Sequence, residues 1–261
     1  MNLETLIITM NQTDISKYHE MNVEGNAIIS NQSKKINGLF TEKYGNASIK
    51  FLSLDTLGVG RNRNQALLLS SADIIIFADD DLVFSKGYAK KIIEDFKNEN
   101  IDMMIYSMIF TKKGSEVKRR VNKDIRIRKW NSLKFGATSI AVRRNSLLKN
   151  NIWFSLLFGG GTSYGSGEDS IFIIDCLRKG LKIYSSSYIL GSCSQDTSSW
   201  FTGYNEKFFF DKGVLFKQVF PKFYLAVIIR FVIKHRKLYC KNISSYKAFR
   251  VMLDGVREFK N

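Results

Sequence analysis

A chain of 261 residues that is 44% hydrophobic and 13% aromatic carries enough apolar material for a packed core. That excludes disorder and fits one globular domain, with or without an appendage. The net charge of +16 is uneven, because residues 201–261 hold 13 Lys and Arg against four Asp and Glu. Such a segment favours an anionic partner, nucleic acid or an anionic membrane surface, unless it is only a solvated face.

The opening MNLETLIITMNQTD has no basic lead, and its apolar run is too short for a signal peptide. Phe223 to Ile233, the longest apolar segment, is interrupted by Arg230, so no membrane span is expected. Cys176, Cys193 and Cys240 show no C-x-x-C spacing, which argues against a zinc cage and for a reducing compartment. The expected location is the cytoplasm.

In chain order, Leu3–Thr9, Ala27–Ser30, Ser48–Leu54 and Asp73–Ala78 read as strands. A helix over Asn62–Ser70 is entered through the Gly58-Val-Gly60 turn, and Lys86–Asn98 shows amphipathic spacing at Tyr88, Ile92, Ile93 and Phe96. This alternation argues for an open α/β sheet with helices on both faces. Longer β-type runs follow in MMIYSMIF, DIRIRKW and ATSIAVR. Then come a glycine-rich loop, a helix Ser170–Lys179 and a short strand Leu181–Tyr184. From Asn205 onward the chain is aromatic, basic and helical in period. A boundary near residue 200 would separate a domain over 1–200 from a helical segment over 201–261.

In SSADIIIFADDDLVF, three consecutive carboxylates, Asp79, Asp80 and Asp81, end an apolar strand. Ligands of open α/β sheets bind beyond the carboxyl ends of strands, and clustered carboxylates there suit a divalent cation that also binds phosphates. A cap on the following helix is the alternative, but it requires only one Asp. The spacing does not fit an EF-hand, whose twelfth position would be Lys90. GVGRNRNQA joins two glycines to Arg61, Asn62, Arg63 and Asn64 at a helix start, which suits phosphate or an ordinary polar turn alike. GSGEDS puts Glu168 and Asp169 at the opening of a helix, either as a general base or as acids complementing the helix dipole. Gly161-Thr-Ser163-Tyr-Gly165 matches a hydrolase elbow in letters, yet the only downstream histidine is His235, inside a basic apolar helix. His19-Glu20 lacks the second histidine of a zincin.

Taken in order over residues 3–185, TMNQTD, SNQS, GVGRNRNQALLLSSADIIIFADDD and GSGEDSIFIIDCLRKGLKIY resemble the bacterial family 2 glycosyltransferases, nearest to the capsular and exopolysaccharide enzymes. The resemblance implies a GT-A fold: an α/β, Rossmann-like mixed sheet flanked by helices, here with a basic helical C-terminal extension. It implies that Thr9, Met10 and Asn11, with Asn31 and Gln32, line the base and ribose. Arg63 and Asn64 match the Arg-Asn after the glycine turn. Asp79, Asp80 and Asp81 correspond to the D-x-D motif, Asp79 and Asp80 at the nucleotide and Asp81 on a Mn²⁺ or Mg²⁺ ion. Asp169 corresponds to the general base, and Glu168 orients it or the sugar. SCSQDTSSWF departs from the pattern, carrying Cys193, Gln195 and Asp196 where many relatives place a histidine or basic group.

The implied reaction is an inverting, metal-dependent transfer from a UDP-sugar to a saccharide acceptor, polyprenyl-diphosphate-linked, in surface polysaccharide assembly at the inner membrane face. A sugar-1-phosphate nucleotidyltransferase would want a glycine-Arg loop directly after the first strand, where TMNQTD stands. A nucleic-acid-binding protein is supported by charge alone, without an RNP, zinc-finger or helix-turn-helix pattern, so no nucleic-acid partner is expected. Residues 213–239 interleave Phe, Val and Ile with Lys and Arg, which suits either an anionic bilayer surface or a packed helix pair.

Overall fold

The computed structural model describes residues 1–112, 115–119, 121–194 and 203–259. Gln195 and Asp196 of SCSQDTSSWF lie outside the described residues. The elements run β1 (Leu3–Met10), α1 (Ser16–Glu20), β2 (Asn26–Gln32), β3 (Gly38–Tyr44), β4 (Ala47–Leu54), α2 (Val59–Leu69), β5 (Ile74–Asp79) and β6 (Leu82–Phe84). There follow α3 (Tyr88–Asp95), β7 (Met103–Lys112), β8 (Ser115–Arg119), β9 (Ile125–Arg126), β10 (Ile140–Arg143), α4 (Arg144–Lys149), α5 (Glu168–Arg178) and β11 (Ile183–Ser194). The chain then forms α6 (Glu206–Val219), α7 (Tyr224–Tyr239) and α8 (Ser245–Glu258).

One mixed sheet has the order β3-β4-β2-β1-β5-β10-β7-β11-β6, with β8 on β7 and β9 on β11. β4, β2, β1 and β5 are mutually parallel, whereas β10 runs antiparallel to both β5 and β7. The parallel strands are covered on both faces, which explains the unbroken apolar run of β5. Leu3, Ile7, Ile74 and Ile76 pack with Tyr88, Ile92 and Phe96 on one face. Leu6, Ile8, Ile75 and Phe77 pack with Ala66, Leu67, Phe172 and Ile173 on the other. A third apolar cluster joins Ile171 and Ile174 of α5 to α6, α7 and α8.

In register, Ile8 lies opposite Asp79 and Met10 opposite Gln32, so the carboxyl ends of β1, β2 and β5 are nearly level. β1 is the switch point, with β2 on one side and β5 on the other. The crevice between diverging connections opens there.

Several elements differ from the sequence reading. DIRIRKW forms strand only at Ile125–Arg126, on β11, before a 3-10 turn at Lys129–Lys134. ATSIAVR becomes extended only from Ile140, because Ser139 turns the chain with φ 75°. The short strand expected at Leu181–Tyr184 is instead the twelve-residue β11, which bulges twice against β7. Its serine-rich sequence has little intrinsic β preference, and pairing with β7 and β6 holds it extended.

Candidate active site

The end of β5 delivers the acid triplet to the crevice. α3 begins after Gly87 with no side-chain cap, so the triplet is not a cap for that helix. Each carboxylate has its own surroundings. Asp79 accepts from Arg63 Nη2 at 3.0 Å and, through its second oxygen, from the Thr138 hydroxyl. Asp80 accepts from the Thr9 hydroxyl. Asp81 is exposed at the rim, with Cys193 Sγ 3.6 Å from its Oδ1.

Arg63 ties this triplet to the start of α5. The side chain is buried, and Nη1 reaches Glu168 Oε1 at 3.2 Å and Asp169 Oδ1 at 2.8 Å. Beneath the guanidinium lies Phe154, with its centroid 5.2 Å from Cζ, and Phe154 stacks on Phe172 at 3.9 Å. An aromatic floor of this kind holds a planar cation from below while its edges donate to carboxylates. Three neighbouring carboxylates outweigh burial and raise the Arg63 pKa, so it remains a cation throughout.

Burial, reinforced by the Asp169 charge, pushes the Glu168 carboxyl up to about 7, although Arg63 acts in the opposite sense. Crowding by protein atoms, then the charges of Asp79 and Asp80, lift Asp81 to about 6 despite its exposure at the cleft mouth. Beyond burial, part of that rise comes from the like charges of Asp79 and Asp80, an excess of negative charge beside Asp81. A divalent cation would relieve that excess, and Mg²⁺-like ions typically use one or two carboxylates with substrate phosphates and waters. Among the described residues no group of three or more His, Cys, Asp or Glu forms an all-protein metal cage. The chemistry of the site fits an ion shared with a bound diphosphate.

Other expected residues are placed differently. Asn31 is buried, with its amide bonded to both backbone atoms of Gln12 and to Ser53 Oγ at 2.9 Å each. Asn64 is bonded in both directions to the Phe154 backbone at 2.9 Å, which holds the aromatic floor against α2. Gln32 donates to Gly58 O at 3.2 Å. Met10 and Asn11 are exposed at the lip, and Asn11 turns the chain with φ 58°. Ser163 of the elbow-like motif lies in an exposed loop, while His235 packs against Phe231 in α7.

Three further residues shape the site: Asn62, read in the sequence only as part of a polar helix start, and Asp211 and Lys212, which the sequence does not single out. Asn62 is buried and donates to Thr9 O at 3.1 Å and Ser30 O at 2.9 Å, fastening α2 to the ends of β1 and β2. From α6, Asp211 accepts from Gly165 N at 3.0 Å. Its neighbour Lys212 lies 3.5 Å from Ser166 Oγ, its pKa lowered by burial while Glu168 and Asp211 hold it up. The signal for both was a charged pair inside the apolar run FFFDKGVLF. A hollow of about 500 Å³ lined by Tyr204, Glu206, Asn242 and Lys247 belongs to the helical layer and shares no residue with this site.

Gly159 lies directly against the Glu168 carboxyl. A β-carbon there would come within 2.6 Å of Val59 Cγ1 and 2.8 Å of Glu168 Cδ, on a backbone at φ +106°. Gly159→Ala is expected to cost about 1–3 kcal/mol of stability from overpacking and backbone strain. It should also lower turnover more than donor affinity, because it displaces Glu168 and leaves the β5 end intact. Denaturant unfolding together with steady-state rates checks both parts, and unchanged turnover would show that the Glu168 position tolerates movement.

Residues 30–153, just under half the chain, match the family described as Glycosyl transferase family 2. No curated protein matches in sequence. Among solved structures, S. aureus TarS 1-349 superposes with a TM-score of 0.64 at 15% identity, covering 93% of this chain and 74% of that one. S. aureus TarS 1-349 in complex with UDP-GlcNAc gives 0.63 at 14% identity with the same coverage. The longer S. aureus TarS structure gives 0.59 at 14% identity, spanning 100% of this chain and 44% of that one. The fold is therefore GT-A, and the family match with these neighbours supports a glycosyltransferase of family 2.

Proposed function

We propose that this chain transfers a sugar from a UDP-sugar to a saccharide hydroxyl, with inversion at the anomeric carbon, in surface polysaccharide assembly. The observation that carries the reading is the convergence of Asp79, the first acid of the triplet, and the Glu168–Asp169 pair on one buried arginine. A structural neighbour with UDP and UDP-GlcNAc bound supports the donor class.

In this reading the ends of β1, β2 and β5 seat the nucleotide, with Asp79 and Asp80 held in place by Thr138, Arg63 and Thr9. Asp81 would hold a Mn²⁺ or Mg²⁺ ion together with the donor's phosphates. When bound, that ion supplies a Lewis acid that neutralises the departing diphosphate. The acceptor oxygen attacks the anomeric carbon as the bond to the diphosphate breaks, and its proton passes to Asp169. Arg63 anchors Asp169 through Oδ1, and Oδ2 is the atom we assign to accept the proton. Glu168, fixed by Arg63 and by its own helix start, sets the position of Asp169 and the sugar. The acceptor we favour is a polyprenyl-diphosphate-linked saccharide.

Calorimetry of UDP with and without Mn²⁺ tests the donor and metal assignments together. Wild type should bind UDP markedly more tightly with Mn²⁺, and Asp81→Ala should lose that enhancement while keeping its fold. Equal, metal-independent affinity in both proteins would remove the assignment.

Protonation adds a second check. The folded-state pKa of Asp81 lies above the ordinary 3.8, so its ionised form costs stability. That cost is absent below 3.8 and fully present above about 6. Asp81→Asn should accordingly raise the metal-free Tm at about pH 7.5, with a gain that shrinks as pH falls through 6 towards 4. Mn²⁺ added with UDP should raise the Tm of wild type beyond UDP alone at about pH 7.5 and add little at about pH 5, or to Asp81→Asn at either pH. A Tm gain from Asp81→Asn that is the same at every pH would contradict this account.

A further inference from the structure

We propose that the outer face of α7 docks on an anionic lipid bilayer. α7 has two unlike sides. Ile228, Val232 and Tyr239 are buried against α6 and α8, as a helix packed on a protein requires. Bordering that buried side, Leu225, Ile229 and Ile233, spaced four residues apart, form one exposed stripe, and Ile233 is 70% accessible. Aliphatic side chains presented to water in a row are costly unless another phase or partner takes them up.

The charge beside the stripe selects the partner. Arg230, Lys234 and Lys237 are exposed along one flank of it, and among the described residues none has an acidic partner. Ten Lys and Arg side chains lie between Asp211 and Asp254, with no Asp or Glu among them. A protein partner would need an unusually acidic groove with an apolar floor. A bilayer containing anionic lipid offers both features on one surface, with headgroup phosphate above an apolar interior. Among the described residues no helix is long and apolar enough to cross a membrane, so α7 lies in the interface instead of spanning it. Long Lys and Arg stems let the cations reach phosphate while the isoleucines enter the acyl boundary.

The test is co-sedimentation of the full 261-residue chain with neutral phosphatidylcholine vesicles and with vesicles containing about one-third phosphatidylglycerol. Binding to the anionic vesicles that weakens at high salt is expected. R230Q/K234Q/K237Q should bind on the order of 10²-fold more weakly, since each basic residue near such a surface contributes roughly a factor of five. In Ile233→Trp the fluorescence should shift to the blue on anionic vesicles and be quenched by brominated acyl chains, a reading that leaves the fold untouched. Equal binding to both vesicle types, or undiminished binding by the triple variant, would overturn the proposal. So would a self-association abolished by I229D/I233D in a protein that ignores vesicles. None of these readings uses sugar transfer, so the outcome is separate from that of the reaction above.

Discussion

Arg63→Met is expected to destabilise the protein by about 3–5 kcal/mol, the usual cost of removing one partner from a buried ion pair. Methionine approximates the volume of the arginine stem and still covers Phe154, so packing loss is kept small. What disappears is the positive charge shared by Asp79, Glu168 and Asp169. Glu168 is buried at 2% exposure and would be left beside Asp169 with no cation in hydrogen-bond reach. It should then take up a proton, its pKa rising further above the present value of about 7. Transfer should fall on the order of 10²-fold or more, because both halves of the site lose their common anchor. Arg63→Lys should recover part of the stability and little of the activity, since one ammonium cannot fork to three carboxylates. The paired variant R63M/E168Q is the informative control. Removing the stranded carboxylate should return much of the lost stability without returning transfer. Thermal unfolding and rates across these variants give the answer, and a wild-type Tm for Arg63→Met would show that the three acids do not depend on this residue.

Asp169→Asn should lower turnover by a factor on the order of 10² to 10⁴ with donor affinity nearly unchanged, as for loss of a general base. Asparagine keeps the shape of the side chain and an oxygen for the Arg63 bond, but it cannot carry the acceptor's proton. Asp169 is the more accessible of the two acids, with its side chain 24% exposed against 3% for Glu168. That difference favours Asp169 for contact with an acceptor and Glu168 for positioning. Glu168→Gln should therefore cost less. Rates at saturating donor and acceptor, measured with donor affinity for both variants, decide between them. A dead Glu168→Gln beside an active Asp169→Asn would reverse the roles, and two active variants would reduce the pair to acids at a helix start.

Local chemistry was enough to mark the strands β1, β4 and β5, the helices α2, α3 and α5, and the acid groups at their ends. Apolar runs of period two, amphipathic spacing and glycine turns are short-range signals that survive in one dimension. β3 and β6 are not legible in the sequence because each is short or largely solvent-facing, and β11 is legible only at its start because the serines beyond Tyr184 carry no β preference of their own. Such strands exist only because a neighbour supplies the hydrogen-bond ladder.

The sequence by itself determined the class of fold and the two clusters of carboxylates, since both rest on residue type and local spacing. Tertiary structure alone decided their relationship: Asp79 and Glu168 are far apart in the chain and meet only because α2 carries Arg63 between them. It also turned Asn31 and Asn64 inward to bind backbone, a choice between lip and interior that a polar letter cannot express. Lys212 and Asp211 reach the site from α6 because an apolar cluster packs that helix on α5, and no local signal encodes a contact made across two packed helices. Pairwise distance between remote residues is set by packing, and packing is a property of the whole chain.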